Sequence, residues 1–400
     1  MTTTGQLDKP ILQIVHISDL HFHSGGAPQN DQRIKSVIAY TRVLPPLRRW
    51  LLDYWEDGRA GHAADALVAF EDFLRSGTTL DVLKTNEIPT WLVDTGDLAS
   101  MGDDASVNAE LDWVNKMGKN LGVKQVVRLY GNHDAWPNTF PLSAKKASLN
   151  KHRDDLRNNH FPSSWPVAPI SQPIDSVGNR IDLYALNSVI HDWWFNSWAL
   201  GKIENDPHWS GSGSQDQLPE LAKLVNQAAL NQAGRAFRIL LTHHPVHYPG
   251  IRCSWKMALR NDTQVAGQLV NLPSSGTGPL AHLVLSGHTH RLYPAHSKLP
   301  PNAGALRHPP LGLHQLQLVV GSLSKAVRDT TKPTPDQSYD VNGEPHQCQV
   351  LRFFPISGHS HNSLVVKRLL IGRNNGTGQF KFIEVSSNPT EYWEETYLNF

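Results

Sequence analysis

Apolar residues along this chain gather in short blocks that each end at Gly or a polar cluster, a pattern that predicts buried strands. Ile11–Ile17 (ILQIVHI) is the first, and Trp91–Asp94, Gln125–Tyr130, Ile181–Leu186, Phe237–Thr242 and His282–Ser286 repeat the design. Between the first two blocks the period changes. Val43, Leu47, Trp50, Leu51 and Tyr54, and then Leu67, Phe70 and Leu74, recur at three- and four-residue spacing. That spacing predicts two amphipathic helices within 32–77, with Pro45 and Pro46 near a first turn. A further helix is expected over Leu218–Gln232, whereas 159–212 is Trp-rich and poorly patterned. Strands alternating with helices indicate an α/β fold, in which ligands bind beyond the carboxyl ends of the strands.

Past Ser324 the character shifts again. Lys325–Gln347 is polar and contains Pro, which reads as a surface excursion. Val350–Phe354, Ser363–Leu370 and Gln379–Val385 then look like antiparallel strands, the last two joined by the turn-rich RNNGTG of Arg373–Gly378. Three strands without a helix make a poor domain of their own, so they are expected to complete a sheet of the main body. The expected organisation is a core over 1–324 with insertions at about 32–77 and 159–212, followed by a loop and core-completing strands over 325–400.

Composition narrows the class. Hydrophobic residues make up 39% of 400, which suits a folded chain, while Lys plus Arg (37) and Asp plus Glu (36) leave a net charge of +1. Such a balance supplies no global field for coating a polyanion, so nucleic acid is disfavoured as a partner. No block approaches the roughly 20 apolar residues of a membrane span, and the start, MTTTGQLDKP, lacks a basic and then apolar leader. A soluble, cytoplasmic protein is expected. Cys253 and Cys348 cannot form a thiolate cage and read as two reduced thiols. Histidine, with 21 copies, stands out, as does Trp with 12.

Much of that histidine falls just beyond the expected strands. Asp19-Leu20-His21 follows the first, and on an extended end the two side chains point to one side. Gly96-Asp97, Gly131-Asn132-His133-Asp134, Thr242-His243-His244-Pro245 and Gly287-His288-Thr289-His290 follow later ones. Any one of these is as readily a capped turn. Together and in order they include two Asp, one Asn and four His at recurring positions: Asp19, His21, Asp97, Asn132, His243, His288 and His290. That set meets the needs of two divalent cations roughly 3.5–4 Å apart with about four N/O ligands each and one shared carboxylate.

The order Asp-x-His, Gly-Asp, Gly-Asn-His-Asp, His, Gly-His-x-His resembles the calcineurin-like metallophosphoesterase superfamily over Ile11–Leu323. The string HISDLHF (His16–Phe22) is most similar to its class III cyclic-nucleotide phosphodiesterase branch. The resemblance implies a four-layer α/β/β/α sandwich of two mixed sheets flanked by helices. It also implies two ions, Mn, Fe or Zn, one held by Asp19, His21, Asp97 and His290 and the other by Asp97, Asn132, His243 and His288. Asp97 would bridge, and a water acidified by both ions would attack phosphorus in line.

On this reading His133 assists the leaving group and Asp134 orients its ring. His23, His244 and His247 are candidates for a substrate pocket, each standing equally as a structural histidine. Trp193, Trp194 and Trp198 read first as core or interface, and the helical insertion around Trp50 and Tyr54 as a lid or a homodimer face. The expected substrate is a small phosphodiester, a cyclic or other nucleotide. The alternatives are a phosphomonoesterase or nuclease on the same site, or a non-catalytic scaffold, which the filled ligand positions disfavour.

Overall fold

Strand β1, Leu12–Ile17, is buried along its whole length, so both of its faces must be covered. Alternate residues go to opposite layers, as the two-residue period of a strand requires. Leu12 and Ile14 pack between two sheets, while Val15 and Ile17 pack under helices. The computed structural model describes residues 9–22, 65–83, 87–99, 102–134, 155, 159–161, 165–189, 201–203, 216–246, 259, 261–270, 278–288, 316–323, 346–356, 363–373, 377–383 and 393–400. The helix expected around Trp50 and Tyr54, the trio Trp193, Trp194 and Trp198, Cys253 and nearly all of the 325–347 excursion lie outside the described residues.

Helices α1 (Ala66–Arg75) and α2 (Gly77–Leu83) lead to β2 (Thr90–Asp94), which pairs parallel with β1. Helix α1 buries Leu67, Phe70 and Leu74, the spacing anticipated from sequence. Helix α3 (Asp104–Leu121) then leads to β3 (Gln125–Arg128), parallel to β2. This helix of 18 residues has no counterpart among the expected elements. Its buried stripe of Val107, Val114, Met117 and Leu121 is interrupted by Glu110, which is itself buried and weakens the apolar period. The end signals are nevertheless plain: the Asp103 side chain accepts a hydrogen bond from Ser106 N, and Gly122 closes the helix with φ 65°.

The second sheet is ordered β4-β5-β6-β7-β8, from β4 (Val167–Pro173), β5 (Arg180–Ala185), β6 (Ala236–Leu241), β7 (Leu283–Ser286) and β8 (Leu316–Val319). Strand β4 runs antiparallel to β5, and the other neighbours are parallel. Helices α4 (Gln217–Asn231) and α5 (Asp262–Val270) cover its outer face through Leu218, Leu221, Val225, Val265 and Leu269. The inner face, with Ile181, Leu183, Phe237, Ile239 and Leu285, meets the first sheet. The result is the four-layer α/β/β/α sandwich of two mixed sheets. Strands β4 and β8 and helix α5 were not anticipated, because β4 carries two prolines at a half-exposed edge and β8 has only four residues.

The C-terminal strands are β9 (His346–Pro355), β10 (Ser363–Arg373), β11 (Phe380–Ile383) and β12 (Trp393–Asn399). Strand β9 pairs antiparallel with β1, in register His16 to Gln349. Strand β10 pairs with β9 on one side, and on the other with β12 along Ser363–Leu369 and β11 along Leu370–Arg373. Leu351, Phe353, Leu364 and Val366 therefore sit in the same inter-sheet layer as Leu12 and Ile14. Among the described residues, no helix is long and apolar enough to cross a membrane. Truncation after Ser324 should strip β1 of a neighbour and open this layer to water, giving insoluble or unfolded protein on expression. A soluble truncation that still takes up metal would contradict it.

Candidate metal centre

The carboxyl ends of β1, β2 and β3 in one sheet meet those of β6 and β7 in the other. Backbone bonds tie the loops together: Asp19 N donates to Gly96 O at 2.9 Å, His21 N to Asp97 O at 3.1 Å and Gly287 N to His243 O at 3.1 Å. Side chains add to them. Asp19 Oδ2 accepts from His288 N at 2.9 Å, Asp97 Oδ1 from His133 N at 2.7 Å, and Ser322 Oγ donates to Asp19 O at 2.7 Å.

Four non-glycine residues among those described have a left-handed backbone: Asp19 (φ 55°), His21 (φ 52°), Asp97 (φ 57°) and His288 (φ 67°). All four are expected metal ligands. Asp19 and His21 thus do not share an extended strand end as the two-residue period suggested; they lie past β1 in strained turns. Strain confined to one cluster of ionisable residues points to a site that the rest of the fold holds in place.

Asp97 is the hub. Its Oδ2 is buried and accepts no hydrogen bond, yet His243 Nε2 lies 3.4 Å away and the Nε2 atoms of His21 and His133 each lie 3.9 Å away. Asp97 groups with Asp19 and His243 on one side and with His21 and His133 on the other, each group close enough to hold a metal ion.

His243 shows why a cation fits. Its Nδ1 lies 2.7 Å from the Thr95 carbonyl, a pure acceptor, so Nδ1 carries the proton and donates. Its Nε2 then faces Asn132 Oδ1 at 2.9 Å, Asp97 Oδ2 at 3.4 Å and His288 Nδ1 at 3.2 Å. Acceptors and lone pairs converge there, an arrangement that needs positive charge at its centre. Burial disfavours an imidazolium at His243, but the Asp97 and Asp19 carboxylates outweigh it and push the pKa up to about 9.

The loops approach this closely because three carry glycine. A Cβ on Gly131 would overlap the Asp97 backbone, and one on Gly287 would overlap the Ser18 hydroxyl. Gly96 has φ 103° and lies against Gly131 and the His243 ring.

The structure brings Asp19, His21, Asp97, Asn132, His133, His243 and His288 together and places Asp134 and His244 beside them. His23, His247 and His290 lie outside the described residues. The Asp134 carboxylate accepts from Ala99 N at 2.9 Å and Gly131 N at 2.8 Å, fastening two of the loops to each other. Burial, with Asp97 nearby, pushes its pKa up to about 7.

His244 is fully buried, with Nδ1 at 2.9 Å from Ser188 Oγ and its ring 4.1 Å from that of His288. With His243 and His288 it forms a third group close enough to hold a metal ion. Thr95 and Ser188 were not anticipated. Thr95 acts through its carbonyl, which no residue type announces, and Ser188 meets His244 from 56 residues away.

A family model for calcineurin-like phosphoesterases matches residues 12–292. The chain belongs to that family. The family is metal-dependent and hydrolytic, in agreement with the His and Asp groups just described. No curated protein sequence matches this phosphoesterase closely enough to count as a relative. Among solved structures, it is similar to the sulfate thiohydrolase SoxB of Thermus thermophilus, with a TM-score of 0.38 and 11% identity over 98% of this chain. The chain spans 57% of the length of SoxB.

The packing around Gly131 makes one prediction. Gly131→Ala should drive the Asn132 and Asp97 loops apart and abolish phosphoesterase activity, whereas Gly77→Ala, on an open helix surface, should be neutral. Activity and circular dichroism of the two variants check this, and an active Gly131→Ala enzyme would contradict it.

Proposed function

We propose that this phosphoesterase hydrolyses a phosphodiester, with a nucleotide as substrate, at a two-ion centre bridged by Asp97. The observation that carries the reading is Asp97 Oδ2, buried without a hydrogen bond and ringed by three imidazoles at 3.4–3.9 Å. Asp19, His21, Asp97 and His290 would hold one ion, and Asp97, Asn132, His243 and His288 the other. When bound, Mn, Fe or Zn ions lower the pKa of the attacking water and offset the charge of the phosphoryl oxygens.

The chain's own residues do the rest. Asp97 Oδ1 fixes the His133 backbone, and Asp134 fixes the turn before it, so Asn132 and His133 enter the site from one rigid corner. The His133 ring stands edge-on to His21 at 4.3 Å and, at 8% exposure, is the most open member of the cluster. That openness supports reading it as the group that meets a substrate's leaving oxygen and gives it a proton. Asp19 holds the His288 loop through the backbone N–H, which ties the two sheets' contributions into one site.

Replacing His133 by Ala should leave the metal content unchanged and lower kcat by about 10²–10⁴-fold, the usual worth of general acid help. The loss should shrink for esters with good leaving groups, and a loss independent of the leaving group would assign His133 to phosphate binding instead.

The substrate reading is tested with Mn²⁺ added, by comparing kcat/KM for cyclic AMP, cyclic GMP and bis(p-nitrophenyl) phosphate with that for p-nitrophenyl phosphate. The diesters should exceed the monoester. A monoester turned over faster than every diester would make this a phosphomonoesterase, with the metal centre unaffected.

A further inference from the structure

Among the described residues, the face that the first sheet turns toward the second is apolar except for one row. Inward positions on β10 read Leu364, Val366, Arg368; on β9, Phe353, Leu351, Gln349; on β1, Leu12, Ile14, His16; and on β2, Trp91 and Val93, followed by Thr95. On β9 and β1, and just past the end of β2, the inward residue nearest the metal centre is polar; on β10 Arg368 stands one inward position before Leu370, the register partner of Gln349, and all four polar residues are buried.

These residues are linked in sequence across the sheet. Arg368 Nε donates to Gln349 Oε1 at 2.8 Å, and Gln349 Nε2 contacts His16 Nδ1 at 2.7 Å. His16 Nε2 contacts Thr95 Oγ1 at 3.1 Å, and the Thr95 carbonyl takes the proton-bearing Nδ1 of His243 at 2.7 Å.

Chemistry gives the row a single direction. A guanidinium only donates, so it must meet the amide oxygen of Gln349, which turns the amide NH₂ toward His16. Nδ1 of His16 is therefore an acceptor and its proton sits on Nε2, directed at Thr95. Burial, and then the charge of Arg368, hold the His16 pKa down to about 3, so the ring stays neutral and offers that one N–H. Each member has one orientation open to it, and the last is the residue whose carbonyl sets the tautomer of His243.

We propose that Arg368, Gln349, His16 and Thr95 form a positioning relay by which the C-terminal strands orient His243 for metal binding. The inference rests on the reading of His243 as a metal ligand. It gives the C-terminal strands a second task beside closing the sheet. Loss of a group that holds a ligating histidine typically costs about 10–100-fold in metal affinity.

The alternative is a row that only fixes strand register. Strands β9 and β1 carry a control for it on their opposite face. There Arg352 Nε donates to Gln13 Oε1 at 2.8 Å, and Gln13 Nε2 to the Leu83 carbonyl at 2.7 Å, toward the end of β1 away from the metal centre.

The experiment titrates the full-length protein and its variants with Mn²⁺, measuring free Mn²⁺ by electron paramagnetic resonance and Tm in parallel. Gln349→Met and Gln13→Met should both lower Tm, but only Gln349→Met should weaken one of two Mn²⁺ sites, by about 10-fold, the low end for loss of a group that holds a ligating histidine. Thr95→Val, which removes the hydroxyl and keeps the carbonyl, should weaken the same site, and Thr95→Ser should restore it to within about twofold. Equal Mn²⁺ affinity in Gln349→Met and Gln13→Met, or unaltered affinity in Thr95→Val, would overturn the relay while leaving the metal centre standing. A wild-type protein that binds no Mn²⁺, or a His243→Ala variant that binds it as the wild type does, would overturn the reading of His243 and the relay with it.

Discussion

Everything around the joint of the two sheets depends on an electrostatic problem: too many lone pairs meet in too small a volume. Asp19, Asp97, Asn132, His243 and His288 are all at most 3% exposed, and water cannot screen them. Burying carboxylates costs several kcal/mol each unless positive charge is supplied, so the cluster is stable only around cations or protons. The fold contributes the rigidity that keeps these groups from rotating apart. The left-handed turns, the glycine contacts between loops and the two amides gripped by Asp134 all serve that end.

The same crowding extends behind the site. Asp94 lies directly under Gly96, whose N–H donates to its Oδ1 at 3.1 Å, and burial pushes its pKa up to about 8. Glu110, on the inner face of α3, is raised well above the ordinary range, again by burial first and then by Asp94. Arg128 lies near both carboxyls and works the other way, favouring their charged forms.

The metal centre was legible because its chemistry is local. A strand end, a glycine and a ligand fall within three or four residues, so each loop announces itself, and their order identifies the family. What needed the structure is non-local or rides on backbone atoms. His243 finds the Thr95 carbonyl 148 residues away, and His16 finds Gln349 333 residues away. The grip of the Asp134 carboxylate on Ala99 N and Gly131 N is likewise invisible in sequence, because its partners are backbone amides. The fold class was readable from strand spacing, while α3 was hidden by Glu110, a residue that faces inward because the site behind it is polar.

The left-handed residues carry a consequence for how this protein can change over time. An L side chain in that conformation costs about 1–2 kcal/mol, a cost glycine avoids. At Asp19, His21, Asp97 and His288, backbone ease favours glycine while the proposed role in metal binding forbids it. Selection for foldability and selection for turnover therefore oppose one another at the same four positions. A lineage freed from the need to hydrolyse phosphoesters would gain stability by discarding these side chains first, and inactive descendants of this fold should be recognisable by glycines where the ligands once stood.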